Sequence, residues 1–183
     1  MQGVKAGRVL GGRTLLERAL ERAAAYGTLL ALSVRSAGQA FDVRIPLLTD
    51  DPDLPGPLAG VASALAFAAE TGAAAVLTIP VDAPFLPDDL ADRLAQALTP
   101  GVGVALARSG DRLHPVCALW RAGLDEQLEA YADTGRGALI GLADAVGWAA
   151  VDWTTEPVDP FFNANTPEDL AKAEALLSPS SRP

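Results

Sequence analysis

Two hydrophobic rhythms alternate along the chain. Short, nearly continuous apolar runs are separated by longer stretches in which apolar residues recur every three or four positions. The clearest run is residues 74–79, Ala-Ala-Val-Leu-Thr-Ile. Such a run suits a strand buried on both faces of a parallel sheet. Pro80 ends it, because proline has no N–H to give to a ladder. Similar runs predict strands over 28–34, 45–48, 102–107 and 116–120, and 148–153 alternates like a strand. The helical rhythm is plain after Thr14. With Glu17 it forms a capping box, and Leu15, Leu16, Ala19, Leu20 and Ala23 make one apolar face. Further helices are predicted over 58–70, 87–98, 121–132 and 138–145. A last helix, capped by Thr166 with Pro167 at its first position and Asp169 at its third, runs to about residue 177.

Strands alternating with helices predict an α/β fold with a mainly parallel sheet. No repeat or linker interrupts the pattern, so residues 1–177 are expected to form a single domain. Residues 178–183 are polar and proline-bearing and are expected to be a disordered tail.

Composition narrows the function. Half of the 183 residues are hydrophobic but only 5% are aromatic, so the core is built mostly from Ala, Leu and Val. The formal net charge is −9, which disfavours nucleic-acid binding, since phosphate backbones need clustered basic residues. One cysteine, Cys117, allows no intrachain disulfide and no cysteine-built zinc site. No apolar run approaches the ~18 residues of a membrane span, and the first residues lack the apolar core of a secretion signal. A cytoplasmic protein without membrane partners is expected.

Candidate chemistry gathers where strands end. Asp82 follows the 74–79 run by a few residues, and ligands of open α/β sheets bind outside the carboxyl ends of strands. A lone carboxylate there suits Mg²⁺, which takes oxygen ligands and bridges to phosphates. Its alternative role is to cap a turn before the next helix. Asp50 follows the 45–48 run, and Asn163 and Asn165 follow the 148–153 strand. These three loops are expected to meet at one sheet edge. The segment 1–13 holds four glycines and the basic residues Lys5, Arg8 and Arg13, with Arg18 in the helix that follows. It is either a solvated basic loop or an anion site. Gly56-Pro57-Leu58-Ala59-Gly60 forces a loop and opens a helix; taken alone it reads as a plain strand-to-helix connection, and its other role is an anion site at the free N–H groups of the helix start. His114 is the only histidine, which makes it a poor metal ligand and a better hydrogen-bonding partner near a strand start. No Gly-x-Ser-x-Gly elbow is present. A metal-assisted phosphate site fits these residues better than an acid–base hydrolase.

Four motifs carry a resemblance that covers nearly the whole chain. Gly56–Gly60, Pro80-Val81-Asp82-Ala83-Pro84-Phe85-Leu86-Pro87, His114-Pro115-Val116 and Phe162-Asn163-Ala164-Asn165-Thr166-Pro167-Glu168-Asp169-Leu170 fall in the order and spacing of molybdenum cofactor guanylyltransferases. The resemblance implies a Rossmann-like nucleotidyltransferase fold. It implies transfer of GMP from GTP to molybdopterin, with release of pyrophosphate. Asp82 matches the family's Mg²⁺-binding aspartate, so Asp82 and Lys5 are the implied catalytic residues. Lys5 and Asp50 match nucleotide contacts, and Asn163 and Asn165 match the Asn-x-Asn near the pterin. GTP and molybdopterin are the implied partners, with molybdoenzymes or other cofactor-biosynthesis proteins beyond them. Cytidylyltransferases for the same cofactor usually lack the Gly-Pro-Leu-Ala-Gly and His-Pro-Val combination, which favours guanine. The family's first strand, its Leu-Ala-Gly-Gly loop and its Arg-Met-Gly arginine have no match, since the chain opens at Met1-Gln2-Gly3. The first strand is thus expected to be missing. Near Leu32-Ser33-Val34-Arg35 the family often has Asn-x-Asn-Arg. A cytidylyltransferase, another nucleotidyltransferase of this fold, or a non-catalytic cofactor- or partner-binding relative is the alternative.

Overall fold

The structure, a computed structural model, describes residues 6–36 and 42–177. Lys5 and the expected tail over 178–183 lie outside the described residues.

The first two strands form a hairpin. β1 (Val9–Leu10) pairs antiparallel with β2 (Arg13–Thr14) across Gly11 and Gly12, whose φ values of 58° and 77° suit a tight two-residue turn. α1 (Leu15–Tyr26) follows with the expected capping box. The Glu17 N–H donates to Thr14 Oγ1 at 3.1 Å, and the Thr14 N–H donates to Glu17 Oε2 at 2.7 Å. β3 (Leu32–Val34) and β4 (Leu47–Thr49) pair in parallel. α2 (Pro57–Thr71) leads to β5 (Ala75–Thr78), and α3 (Leu90–Ala97) to β6 (Val104–Ser109). Then come β7 (Arg112–Arg121), α4 (Asp125–Ala132), α5 (Leu139–Val146), β8 (Trp148–Trp153) and α6 (Pro167–Leu177).

The larger sheet has strand order β5-β7-β6-β8. β5, β6 and β8 point the same way, and β7 alone is reversed. The fold is α/β as expected, and the sheet is mixed with one dominant direction. The reason is local: β6 and β7 are joined only by Gly110 and Asp111, and so short a connection can join only antiparallel neighbours.

β5 departs from expectation. Its apolar run predicts burial on both faces, yet all four of its residues are half-buried. Among the described residues it pairs with β7 on one side only, and its other edge borders a cavity. Arg121, expected to start a helix, ends β7 instead. Its guanidinium donates to the Leu98, Thr99 and Val102 carbonyls. α3 starts later than residue 87, after a turn in which the Leu90 N–H donates to the Pro87 carbonyl at 3.2 Å. Asp88 pairs with Arg22, and Asp89 Oδ1 accepts from Trp153 Nε1 at 2.9 Å.

Residues alternate across the sheet into two cores. Val104, Leu106, Ala118 and Trp120 face α2, α4 and α5 through Leu58, Leu65, Leu128 and Leu142. Ala105, Ala107 and Cys117 face the other way, against Leu90 and Leu94 of α3 and against Trp153 and Phe161. A third cluster joins Leu10 of the N-terminal hairpin and Leu15 of α1 to Ala164 and Ala173, with Val81, Phe85 and Phe162 packed on it. Among the described residues no helix is long and apolar enough to cross a membrane.

Candidate active site

A cavity of about 570 Å³ lies between the β3–β4 pair and β5. Consecutive residues 29–35 border one side and 76–82 the other, so strand edges rather than strand faces look into it. Among the described residues no strand joins the two sheets. α2 contributes Gly60, Val61 and Ala64, and α1 contributes Leu16 and Ala23.

Asp50 stands at the end of β4 and lines this cavity. Its N–H donates to the Val34 carbonyl at 2.8 Å, which fixes its backbone beside β3. Ser33 Oγ donates to Asp50 Oδ1 at 2.5 Å. Gly60 explains why this corner is open. A Cβ there would sit 3.2 Å from Ser33 Oγ and 3.9 Å from Asp50 Oδ1. Gly56, at φ 60°, turns the chain into α2, whose first N–H groups have no side-chain cap. Gly56 and Pro57 also line the cavity. Gly137 braces this turn from outside. A Cβ on it would meet the Pro55 carbonyl oxygen at 2.6 Å, so the 133–137 loop packs directly on the approach to α2.

Asp82 lines the same cavity from the β5 side and is half-buried. Its carbonyl accepts the Ala164 N–H at 2.8 Å. The ring of Phe85 meets that of Phe162 at 6.2 Å. The Asp82 loop and the Asn163–Asn165 loop are therefore joined by a backbone hydrogen bond and an aromatic contact. Asn163 and Asn165 do not line the cavity; they flank it through Asp82. The Asn165 carbonyl accepts from Arg8 Nη1 at 2.7 Å, and its N–H donates to Asp169 Oδ2 at 3.2 Å. The same carboxylate accepts the Thr166 N–H at 2.9 Å, which holds the Asp169 carboxyl below its ordinary value. The expected cap of α6 thus also fixes Asn165.

The structure brings Asp50 and Asp82 to one cavity and ties Asn163 and Asn165 to its rim. The position of Lys5 is not described. Three residues carry more of the site than the sequence suggested. Ser33 holds Asp50 through its hydroxyl. Arg35 is the cationic side chain among the described lining residues. Arg8 reaches the Asn165 backbone; its only signal was its place in a glycine-rich basic segment.

Among the described residues, no group of three or more His, Cys, Asp or Glu could hold a metal by itself. The donor set still suits Mg²⁺, which keeps several waters and is commonly held by one or two carboxylates plus substrate phosphates. Asp82 meets that requirement; among the described residues a site built wholly from protein does not exist. Cys117 is unsuited to chemistry, because burial and the nearby Asp82 and Asp159 charges push its thiol up to about 12.

An open α/β sheet with carboxylates at the ends of two strands, beside an uncapped helix start, is the arrangement in which the Rossmann-like class of folds binds its ligands. Known proteins agree with this class. The chain is 21% identical to molybdopterin-guanine dinucleotide biosynthesis protein A from Archaeoglobus fulgidus, with a TM-score of 0.74 over 94% of this chain and 89% of that one. It is 24% identical to 2-C-methyl-D-erythritol 4-phosphate cytidylyltransferase from Thermus thermophilus, with a TM-score of 0.70 over 95% of this chain and 94% of that one. At these identities the likeness is one of fold. The model of the MobA-like NTP transferase domain matches residues 1–147. A molybdenum cofactor guanylyltransferase from Rhodopseudomonas palustris (strain HaA2) is 44% identical over 95% of this chain and 84% of its own length. One from Sinorhizobium fredii is 37% identical over 97% of this chain and 86% of its own. The chain belongs to the MobA-like NTP transferase family, a family of nucleotidyltransferases.

Proposed function

We propose that this chain transfers GMP from GTP to the terminal phosphate of molybdopterin, forming molybdopterin guanine dinucleotide. An oxygen of the pterin phosphate attacks the α-phosphorus of GTP. One P–O bond forms, the α–β anhydride bond breaks, and pyrophosphate leaves. The observation that carries this reading is the shared cavity. Asp50 and the start of α2 stand on one side, Asp82 on the other, and the loop bearing Asn163 and Asn165 is bonded to Asp82.

The side chains have few covalent duties in such a transfer, and positioning with charge neutralisation supplies the rate. Asp50, held by Ser33, contacts the nucleotide, and the free N–H groups of α2 favour its phosphates. Lys5 adds a cation to the phosphates. Asp82 holds Mg²⁺, which when bound neutralises charge on the phosphates between the two substrates. Asn163 and Asn165 orient the pterin phosphate. The reading carries a cytoplasmic location, where GTP is supplied.

The test is competition between GTP and CTP on a molybdopterin acceptor, with pyrophosphate release and dinucleotide product both measured. GTP is expected to be used in preference. A preference for CTP moves the chain to the cytidylyltransferases, and no transfer from any nucleotide removes the catalytic reading.

A further inference from the structure

His114 is nearly fully buried, at 7% exposure, and does not line the cavity. Nothing in the transfer described above uses it. Its placement comes from an irregularity in β7. Leu106 pairs with Ala118, but the next residue of β6, Ala107, pairs with His114. Pro115, Val116 and Cys117 are left without partners on β6. Proline fits there because it has no N–H to lose. The bulge sets the His114 ring beside Ser109, and Ser109 Oγ and His114 Nε2 share a hydrogen bond of 2.8 Å. The flat face of the imidazole stacks on Phe161, with centroids 4.6 Å apart and planes at 25°. Trp153 meets the same phenyl ring edge-on at 5.3 Å.

Phe161 begins the segment that ends in Asn165. That segment has no helix or strand of its own, so its position is set by contacts. Phe161 is fixed on His114 and Trp153, Phe162 meets Phe85, and the Ala164 N–H bonds the Asp82 carbonyl. A chain of contacts thus runs from Ser109 through His114 and Phe161 to both loops that flank the cavity. We propose that His114 is a positioning residue for the transfer site: its ring, pinned by Ser109, is the platform on which Phe161 stacks, and it thereby sets the 161–165 segment against Asp82. A purely apolar residue would leave the buried Ser109 hydroxyl unpartnered. A neutral imidazole offers a flat face and one polar edge together. Burial and the Arg112 charge lower its pKa, against the opposing pull of Asp159, which supports a neutral ring.

The proposal rests on the transfer reading above only for its activity arm. His114→Ala removes the platform, and His114→Phe keeps a flat ring without the hydrogen bond. For His114→Ala, the KM for molybdopterin is expected to rise roughly tenfold while the KM for GTP stays within about twofold. Hydrogen exchange of the Ala164 amide is expected to quicken about tenfold or more, with α2 and β6 unchanged. His114→Phe is expected to restore most of both. Equal changes in the two KM values, unchanged exchange at Ala164, or no recovery in His114→Phe overturns the proposal. If the wild-type chain transfers no nucleotide, the transfer reading fails and the exchange arm alone decides the platform. If His114→Ala does not fold, His114→Leu, which fills the space without a flat face, takes its place, and wild-type exchange at Ala164 in that variant overturns the proposal.

Discussion

Replacing Gly60 with alanine separates the stability of this fold from its use. Gly60 lies inside α2, where alanine is better than glycine by about 0.8–1 kcal/mol. Against that gain stands the new methyl group. It would sit 3.2 Å from Ser33 Oγ, closer than an ordinary contact, and the neighbour must yield by a few tenths of an ångström. Ser33 is exposed and can turn about one bond, at the cost of its hydrogen bond to Asp50. A typical net hydrogen bond contributes about 0.5–1.5 kcal/mol, and an exposed one stands at the low end. The two effects nearly cancel, so the unfolding free energy is expected to change by less than about 1 kcal/mol. Binding is different. The methyl group enters the corner that Ser33, Asp50 and the start of α2 keep open, and GTP affinity is expected to fall about tenfold, or roughly 1.4 kcal/mol. Urea unfolding with an unchanged slope and titration of GTP give the two numbers. Unchanged affinity would refute the placing of the nucleotide at this corner. A stability loss beyond about 2 kcal/mol would show that Ser33 cannot move aside.

Asp82→Asn is expected to keep the unfolding midpoint and to lower turnover about 100-fold or more, near 3 kcal/mol of barrier; near-normal GMP transfer would refute the role given to Asp82. Gly137→Ala differs from Gly60→Ala in that its Cβ would meet backbone, the Pro55 carbonyl oxygen at 2.6 Å. It is expected to destabilise by about 1–3 kcal/mol and to weaken GTP binding by shifting the start of α2, and a wild-type urea midpoint would contradict this. Because the folded pKa of His114 lies below its ordinary 6.5, the unfolded chain binds more protons between the two values. Stability is expected to fall as pH drops through 6.5 to that lower value and to level off below it. Asp159 and Arg112 are the charges that act on this ring. His114→Phe should lack that slope when urea midpoints are compared between about pH 8 and pH 5. Asp152, held low by its hydrogen bonds to Arg108, and Asp169, held low by Thr166, contribute stability above the ordinary carboxylate value of 3.8. That contribution is lost as pH falls below 3.8 through their lower folded values.

Much of this was legible in the sequence, because local chemistry decided it. The Thr14–Glu17 box starts α1, Thr166 with Asp169 starts α6, and Pro57 with Gly72 brackets α2, as side-chain oxygens, a missing N–H and a left-handed glycine dictate. The strand run at 74–79 led to the loop whose Asp82 lines the cavity. Sequence order alone could not give the pairing of distant strands. β7 lies between β5 and β6, and among the described residues nothing pairs with the other side of β5, whose residues are half-buried where their apolar character predicted full burial. Nor could it show that Gly60 and Gly137 are small because of Ser33 and Pro55, since those neighbours arrive from other elements. His114 is the sharpest case. Its motif was visible, but its work depends on a three-residue bulge that turns it toward Ser109 and Phe161, and only the folded register of β6 against β7 decides which way such a ring points.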